Sequence, residues 1–297
     1  MIKTILSIIA AIVALAIAAF FGAQWLGERK LQRRVDVRVV PVDYAKPDPQ
    51  VLKQGKYLFE SRGCGECHGM DGAGKVVIDS DLYVRSPDIT PARLGSATGY
   101  TEADWVRAVR HGVDPAGRAL LIMPSEDYNR MNDADFAALI AYVRSLPPGR
   151  GALAELRLPA IMKSLYGVGL VKDAAERIDH TLPPSAPVPV GATVEHGRYV
   201  AAMCMGCHGE GYSGGKIPGT PPDWPPASNL TPGEGSVLPR YPDADAFIAM
   251  MRSGKRPDGS AVSKVMPFAS LANFNDTDLK AVHAFLKTLP PRKAGER

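Results

Sequence analysis

Cys64-Gly65-Glu66-Cys67-His68 and Cys204-Met205-Gly206-Cys207-His208 hold every cysteine of this 297-residue chain, so all four thiols share one kind of chemistry. Cysteines three residues apart lie on the same side of a helical turn, with the histidine directly after them. Outward from these motifs the chain repeats itself at an offset of about 140 residues, with small gaps. Gly55-Lys56-Tyr57 answers Gly197-Arg198-Tyr199, and Asp88-Ile89-Thr90-Pro91 answers Asn229-Leu230-Thr231-Pro232. Tyr100-Thr101-Glu102-Ala103-Asp104 answers Tyr241-Pro242-Asp243-Ala244-Asp245, and Met123-Pro124 answers Met266-Pro267. Each half closes on Leu-Pro-Pro, at Leu146 and at Leu289. This is duplication of one domain, not a solenoid.

The motif reads as a site of covalent haem attachment. Its two sulfurs can form thioethers with the vinyl groups of one haem while the adjacent histidine ligates the iron. Zinc-binding knuckles and redox-active dithiols are the competing readings. Both leave the histidine unexplained, and zinc would need its half-sites joined across a very long insertion. A Cys-x-x-Cys disulfide closes a tiny loop and stabilises little. Cys64, Cys67, Cys204 and Cys207 are the candidate attachment residues for two haem c groups, and His68 and His208 are the candidate iron ligands.

Met123 and Met266 are the candidates for the opposite axial positions. Each precedes a proline, which restricts it to an extended backbone and presents its thioether from a pre-set loop. A methionine filling a core gap is the ordinary alternative, and the matched position in both halves weighs against it. Met131 has no counterpart in the second half, and Met203 and Met205 flank the cysteines too closely to reach the far side. Of the other histidines, His111 ends a helix before Gly112, where positive charge suits the negative helix end. His283 falls among Leu279, Val282 and Leu286 as a packed helix residue, and His180 and His196 have no partners in the repeat.

On these residues each half resembles a class I cytochrome c domain, over about residues 48 to 148 and 191 to 291. The resemblance implies an all-α fold in which a first-helix glycine and aromatics pack steeply against the last helix. Gly55, Tyr57 and Phe59 would meet Tyr142, and Gly197 and Tyr199 would meet Phe285. The second half lacks two residues between its first-helix glycine and first motif cysteine, so that helix is expected to be shorter or differently angled. Local signals agree. Asp48-Pro49 is a helix start, Thr101 to Asp104 resembles a capping box, Pro242-Asp243 opens its twin, and Gly112 and Gly254 can end those helices. The glycine- and proline-rich stretches after each motif read as loops. Domains of about 100 residues with few strong helices lie near the lower range for independent stability, so a buried haem would supply missing core.

Expected organisation is a membrane anchor or uncleaved signal at 1–27, a juxtamembrane linker at 28–47, and cytochrome c domains at 48–148 and 191–291. A connector at 149–190 and a tail at 292–297 complete it. Ile5 to Leu26 is apolar but for Ser7, Gly22 and Gln24, long enough to span a bilayer, with Trp25 at an interface. A cleaved signal ending near Ala16-Ile17-Ala18 is the alternative. Arg29, Lys30, Arg33 and Arg34 follow the span, which by charge alone favours the opposite orientation. Haem attachment in the cytochrome c family takes place outside the cytoplasmic membrane, which implies a single-pass protein of the bacterial inner membrane with periplasmic haem domains. The connector ends in the stiff Pro183-Pro184-Ser185-Ala186-Pro187-Val188-Pro189. Its earlier part, with Leu156, Leu158, Ile161, Met162, Leu165 and Tyr166, is apolar enough to pack on the domains or on another subunit.

Net charge is +4, with 11 basic against 13 acidic residues over 51–148 and 9 against 9 over 191–291, which leaves no basic face for nucleic acid. Glu126, Asp127, Asp133 and Asp135 form either a solvated face or a docking site for a basic electron partner. The resemblance implies an electron carrier rather than an enzyme. It would relay single electrons from a membrane or periplasmic dehydrogenase or quinol-oxidising donor to a soluble cytochrome or terminal oxidase. Methionine ligation would raise both potentials. The alternatives are a cytochrome subunit of a larger dehydrogenase or oxidase complex, and a di-haem enzyme such as a peroxidase with an open iron. Dehydrogenase cytochrome subunits of this family usually carry three haem motifs, and this chain has two.

Overall fold

Asp48 opens the first domain, its carboxylate accepting from the backbone N–H groups of Gln50 and Val51 at 2.8 and 2.9 Å while Pro49 takes the first helical position. The structure is a computed structural model that describes residues 2–297 except Ala45, Ser96, Ala97 and Pro222. Its helices are α1 (Ile2–Leu31), α2 (Pro49–Ser61), α3 (Cys64–His68), α4 (Pro91–Leu94), α5 (Glu102–His111), α6 (Asp133–Ser145) and α7 (Ala160–Gly167). They continue with α8 (Ala174–Arg177), α9 (Val194–Ala201), α10 (Met205–His208), α11 (Ala244–Ser253), α12 (Phe268–Leu271) and α13 (Asp276–Leu286).

Two separate cores match the two halves. Leu58, Phe59, Trp105, Val106, Phe136 and Ile140 build the first, and Val200, Tyr212, Phe247, Leu279, Phe285 and Leu286 the second. In each, the first helix crosses the last at a glycine, α2 over α6 at Gly55 and α9 over α13 at Gly197. The second first-helix is shorter, 8 residues against 13, and continues as a 3-10 turn over Ala202–Cys204. The Thr101 capping box is present, and Gly112 and Gly254 end their helices in the left-handed region at φ 64° and 66°.

One small antiparallel sheet joins the helices: β1 (Val76–Asp79), β2 (Tyr83–Arg85) and β3 (Glu155–Arg157), in that order, with Tyr83 opposite Arg157. Strands of three or four residues are too short to leave an alternating pattern in sequence. The third comes from the connector, where Arg157 stacks 4.0 Å from the Tyr83 ring.

The apolar connector packs inward. Tyr166 is buried, its hydroxyl donating to Asp173 at 2.6 Å, and Asp173 pairs with Arg33 at 2.6 Å. Further on, His180 meets His111, Nδ1 to Nδ1 at 2.9 Å, while His180 Nε2 lies 3.0 Å from the Ala175 carbonyl. A carbonyl only accepts, so His180 carries its proton on Nε2 and accepts from His111. Burial, the His180 ring and the nearby Arg110 and Arg107 push His111 down to about 4. A folded value below the unfolded 6.5 means that the unfolded chain takes the proton first, so stability is present above pH 6.5 and falls as pH drops towards 4. Thermal midpoints of the holoprotein should fall over that window by the equivalent of about 1–3 kcal/mol, and His111→Gln should flatten the profile. Superimposable profiles for the two proteins would show that the pair does not titrate on unfolding.

The two domains meet in a contact with approximate twofold symmetry. Tyr57 donates to Asp278 at 2.6 Å and accepts from Asn275 N–H at 3.3 Å. Its repeat equivalent, Tyr199, donates to Asp135 at 2.6 Å and accepts from Asn132 N–H at 3.3 Å. Gln54 bonds Asp135 at 3.0 Å where the equivalent His196 bonds Asp278 at 2.8 Å. Such self-complementarity is the geometry of an isologous dimer, here between two halves of one chain. Tyr57 and Tyr199 thus spend their hydroxyls across the interface, while Phe59 supplies the ring contact to Tyr142 at 5.5 Å. One asymmetric addition is the buried Arg62, 3.3 Å from Asp278 and stacked 4.4 Å from Phe274.

Candidate functional site

The first Cys-x-x-Cys-His motif occupies α3, the second runs from the end of the 3-10 turn at Cys204 through α10, and the chain reverses at the glycine after the histidine, Gly69 at φ 77° or Gly209 at φ 79°. The returning loop then bonds the histidine twice. Gly74 N–H donates to the His68 carbonyl at 2.7 Å and Gly214 N–H to that of His208 at 2.9 Å. The imidazole Nδ1 of His68 lies 3.1 Å from the Pro87 carbonyl, and that of His208 lies 2.8 Å from the Ser228 carbonyl. Because a carbonyl cannot donate, each ring holds its proton on Nδ1 and keeps a lone pair on Nε2. Burial lowers the pKa of both rings, the backbone bond opposing it, so both stay neutral. A neutral imidazole fixed through its second nitrogen is the donor that an iron centre needs.

The thiols tell against the competing chemistries. Burial pushes Cys64 and Cys204 up to about 12 and raises Cys67 and Cys207 as well. A redox dithiol or zinc knuckle works through thiolates, which this environment disfavours. Among the described residues no three His, Cys, Asp or Glu side chains converge on one point, so the two motifs form no shared cage. Cys64 packs on the first core and Cys204 on the second.

Met123 and Met266 sit in matching turns. Pro124 (φ −81°, ψ 63°) and Pro267 (φ −79°, ψ 67°) are the centres of two inverse γ-turns, with Ser125 N–H donating to Met123 O at 2.9 Å and Phe268 N–H to Met266 O at 2.8 Å. Met123 packs on the first core and Met266 on the second. Met131 is a buried core residue. The other histidines are engaged elsewhere: His111 with His180, His196 with Asp278, and His283 with the Tyr241 carbonyl at 2.9 Å.

The two motifs approach each other's methionine loops. Glu66, between the first pair of cysteines, accepts from Ser270 beyond Met266. The equivalent contact sets Gly206 against Asp127 beyond Met123, where a Cβ would stand 2.5 Å from Asp127 Oδ1. Burial first, and the Glu126 charge second, push Asp127 up to about 7. Most of the acidic group near the first methionine loop is accordingly engaged within the fold, Asp133 alone of the four staying exposed at 61%. Asp127 and Asp135 lie in the interface, Glu126 pairs with Arg177 at 2.7 Å, and Asp133 pairs with Arg110 at 2.8 Å.

Some site residues left only a faint sequence signal. Asp88 accepts from Thr90 N–H at 2.8 Å and Gly151 N–H at 3.0 Å, while Asn229 accepts from Thr231 N–H at 2.9 Å and donates to the Arg292 carbonyl at 2.8 Å. These buried brackets pin the loops that carry the Pro87 and Ser228 acceptors. Their signal was the repeated Asp/Asn-x-Thr-Pro, visible as a repeat but mute about which backbone atom it positions.

Comparison with known proteins agrees with the duplicated architecture. The family model described as Cytochrome c matches residues 52–147, and that described as Cytochrome C oxidase, cbb3-type, subunit III matches residues 192–286. The fructose dehydrogenase cytochrome subunit of Gluconobacter japonicus is 27% identical over 270 residues, 81% of this chain and 53% of the relative. The cytochrome c subunit of alcohol dehydrogenase (quinone) from Gluconobacter oxydans is 33% identical over 281 residues, covering 84% and 57%. The gluconate 2-dehydrogenase cytochrome c subunit of Pantoea cypripedii is 26% identical over 275 residues, covering 83% and 61%. The chain thus spans a little over half the length of these relatives. With a family match on each repeat and relatives aligned through both, the chain belongs to the di-haem c-type cytochromes, two cytochrome c domains that each carry one covalently bound haem.

Proposed function

We propose that the chain relays single electrons from a dehydrogenase in or at the membrane, as its cytochrome subunit, towards a soluble cytochrome or terminal oxidase. The observation that carries this reading is the reciprocal contact of each haem motif with the other domain's methionine loop, which gathers both sites at one interface. Alignment with dehydrogenase cytochrome subunits through both halves and the connector supports the donor side. The cbb3-type match of the second domain supports the acceptor side.

In this reading Cys64 and Cys67 would hold one haem and Cys204 and Cys207 the other, with His68 and Met123, and His208 and Met266, supplying the donors to the irons. Haem c, when bound, supplies the one-electron couple of its iron. The chain's own part is positional. Pro87 and Ser228 fix the imidazole tautomers, the two proline turns set the methionine backbones, and the two cores exclude water.

A retained α1 anchors the chain in the bacterial inner membrane with both haem domains on the periplasmic side. Supporting this, an 18-residue stretch of α1 has a mean hydropathy of 2.8 and the far end of the helix is built into the fold, with Gly27 buried against the connector.

Redox-titrated spectroscopy of protein purified in mild detergent tests the site and the partner together. Met123→His or Met266→His should each lower one potential by roughly 0.1–0.2 V, part of the ~0.8 V over which axial ligands act, and remove half of the weak sulfur-to-iron band of the oxidised protein. Unchanged potentials and an unchanged band would reduce both methionines to core residues. Co-purification of a dehydrogenase is the expected companion result, and an isolated cytochrome would refute the subunit reading.

A further inference from the structure

We propose that the turn Val168-Gly169-Leu170 is a second membrane contact, an apolar tip that enters the acyl-chain boundary of the same bilayer that α1 spans. The inference rests on the reading of α1 as a retained span and adds to it a contact made by the connector.

Direction comes from two glycine crossings. A Cβ on Gly27 would stand 2.2 Å from the Lys163 carbonyl oxygen, and one on Gly167 would stand 2.2 Å from the Ala23 carbonyl oxygen. Four residues forward along α7 are therefore four residues back along α1. The two helices run antiparallel in close contact, and α7 descends towards the membrane. Its end lies between Ala23 and Gly27, at the last turn of the apolar run that ends at Leu26, a Cβ on Gly167 standing 2.5 Å from the Gly27 nitrogen as well.

The chain turns back at this depth. Gly169 adopts φ 80°, a left-handed conformation that favours glycine, and the N–H groups of Leu170 and Val171 return to the Leu165 carbonyl at 2.9 and 3.2 Å. Val168 and Leu170 thereby lie beyond the end of α7, 54% and 71% exposed. No charged residue occurs from Tyr166 to Val171. Lys172 follows the tip directly, and on the α1 side Lys163 pairs with Glu28 at 2.8 Å, Lys30 sits 4.4 Å from the Tyr166 ring, and Arg29 sits 4.8 Å from the Trp25 ring. An apolar tip bordered by cations and an exposed tryptophan is the partition that a lipid interface imposes.

The occupant is lipid rather than protein because the surface continues that of α1, whose apolar side chains are exposed along the same level. The tip is also stiff. Tyr166, Asp173 and Arg33 lock its base, and Ala174 N–H donates to the Leu120 carbonyl of the first domain at 3.1 Å. A span and a rigid tip hold the first domain at a fixed tilt to the membrane, which a single flexible tether cannot do.

Site-directed spin labelling tests this on the full, haem-loaded chain in vesicles of phosphatidylcholine and phosphatidylglycerol, since thioether-bound native cysteines leave an introduced thiol as the sole target. Nitroxides are placed through Leu170→Cys and, separately, Ile12→Cys in the span, with the haems reduced. Collision with oxygen, which concentrates in lipid, should exceed collision with a water-soluble nickel chelate several-fold at both positions. Nickel contact at 170 with oxygen contact at 12 overturns the tip and leaves the anchor standing. Protection from both probes at 170 means a protein covers the turn and also overturns the proposal. Nickel contact at 12 removes the span and the tip with it.

Discussion

Gly197→Ala is expected to destabilise the second domain by about 3 kcal/mol or more, although it exchanges a poor helix residue for the best one. Propensity alone predicts the opposite sign, a gain of about 0.5–1 kcal/mol in the middle of a helix. The close crossing decides against it. A Cβ at Gly197 would stand 1.9 Å from the Ala281 carbonyl oxygen and 2.8 Å from Phe285 Cβ, both on α13. Backbone cannot step aside as a flexible side chain can, so α9 and α13 must separate, at or above the ~1–3 kcal/mol usual for overpacking. Gly55 faces Ala138 O at 2.0 Å and Tyr142 Cβ at 2.6 Å, and Gly55→Ala should do the same to the first domain. Against a total of about 5–15 kcal/mol for a domain, the loss is large. Denaturant midpoints of the holoprotein measure it, and a stabilised Gly197→Ala protein would refute the crowding argument.

Cys204→Ser with Cys207→Ser should take the haem count from two to one and leave the second domain poorly folded. The chain has no other thiols outside Cys64 and Cys67, so nothing can substitute for the missing thioethers. Without the bound group the second core loses the partner around which it is built, and binding energy that stabilises only the folded state disappears. The first domain should keep its haem, since its core of Leu58, Phe59, Phe136 and Ile140 shares no residue with the second. Mass spectrometry of the matured chain and circular dichroism read the two effects. Two covalent adducts in the variant, or undiminished helicity, would contradict the prediction.

The all-α fold with two cytochrome c domains and two covalent haems was legible in the sequence because its markers are local. Cys-x-x-Cys-His places its chemistry within one helical turn, Asp48-Pro49 and Thr101 to Asp104 cap their helices from within four residues, and the duplication showed every signal twice. The site was partly legible. Motif histidines and proline-bound methionines could be named, whereas the carbonyls of Pro87 and Ser228 that orient the imidazoles could not. Backbone atoms brought in by a folded loop leave no residue-type signature.

What lay beyond reading was contact between distant segments. Tyr57 was expected against its own domain's last helix and instead bonds Asp278, 221 residues away. Asp127 and Asp135, exposed in a linear view, are interface residues once the halves pair. The β3 strand and the α1–α7 crossing likewise require the connector to fold back.

By itself, then, the sequence determined composition, caps, the duplicated units and their covalent chemistry, because each depends on residues close enough along the chain to interact in any conformation. Tertiary structure alone decided how the two units face each other, which acids are buried, and where the connector meets the N-terminal apolar helix. Those outcomes depend on shape and hydrogen-bond complementarity between surfaces that exist only after each unit has folded.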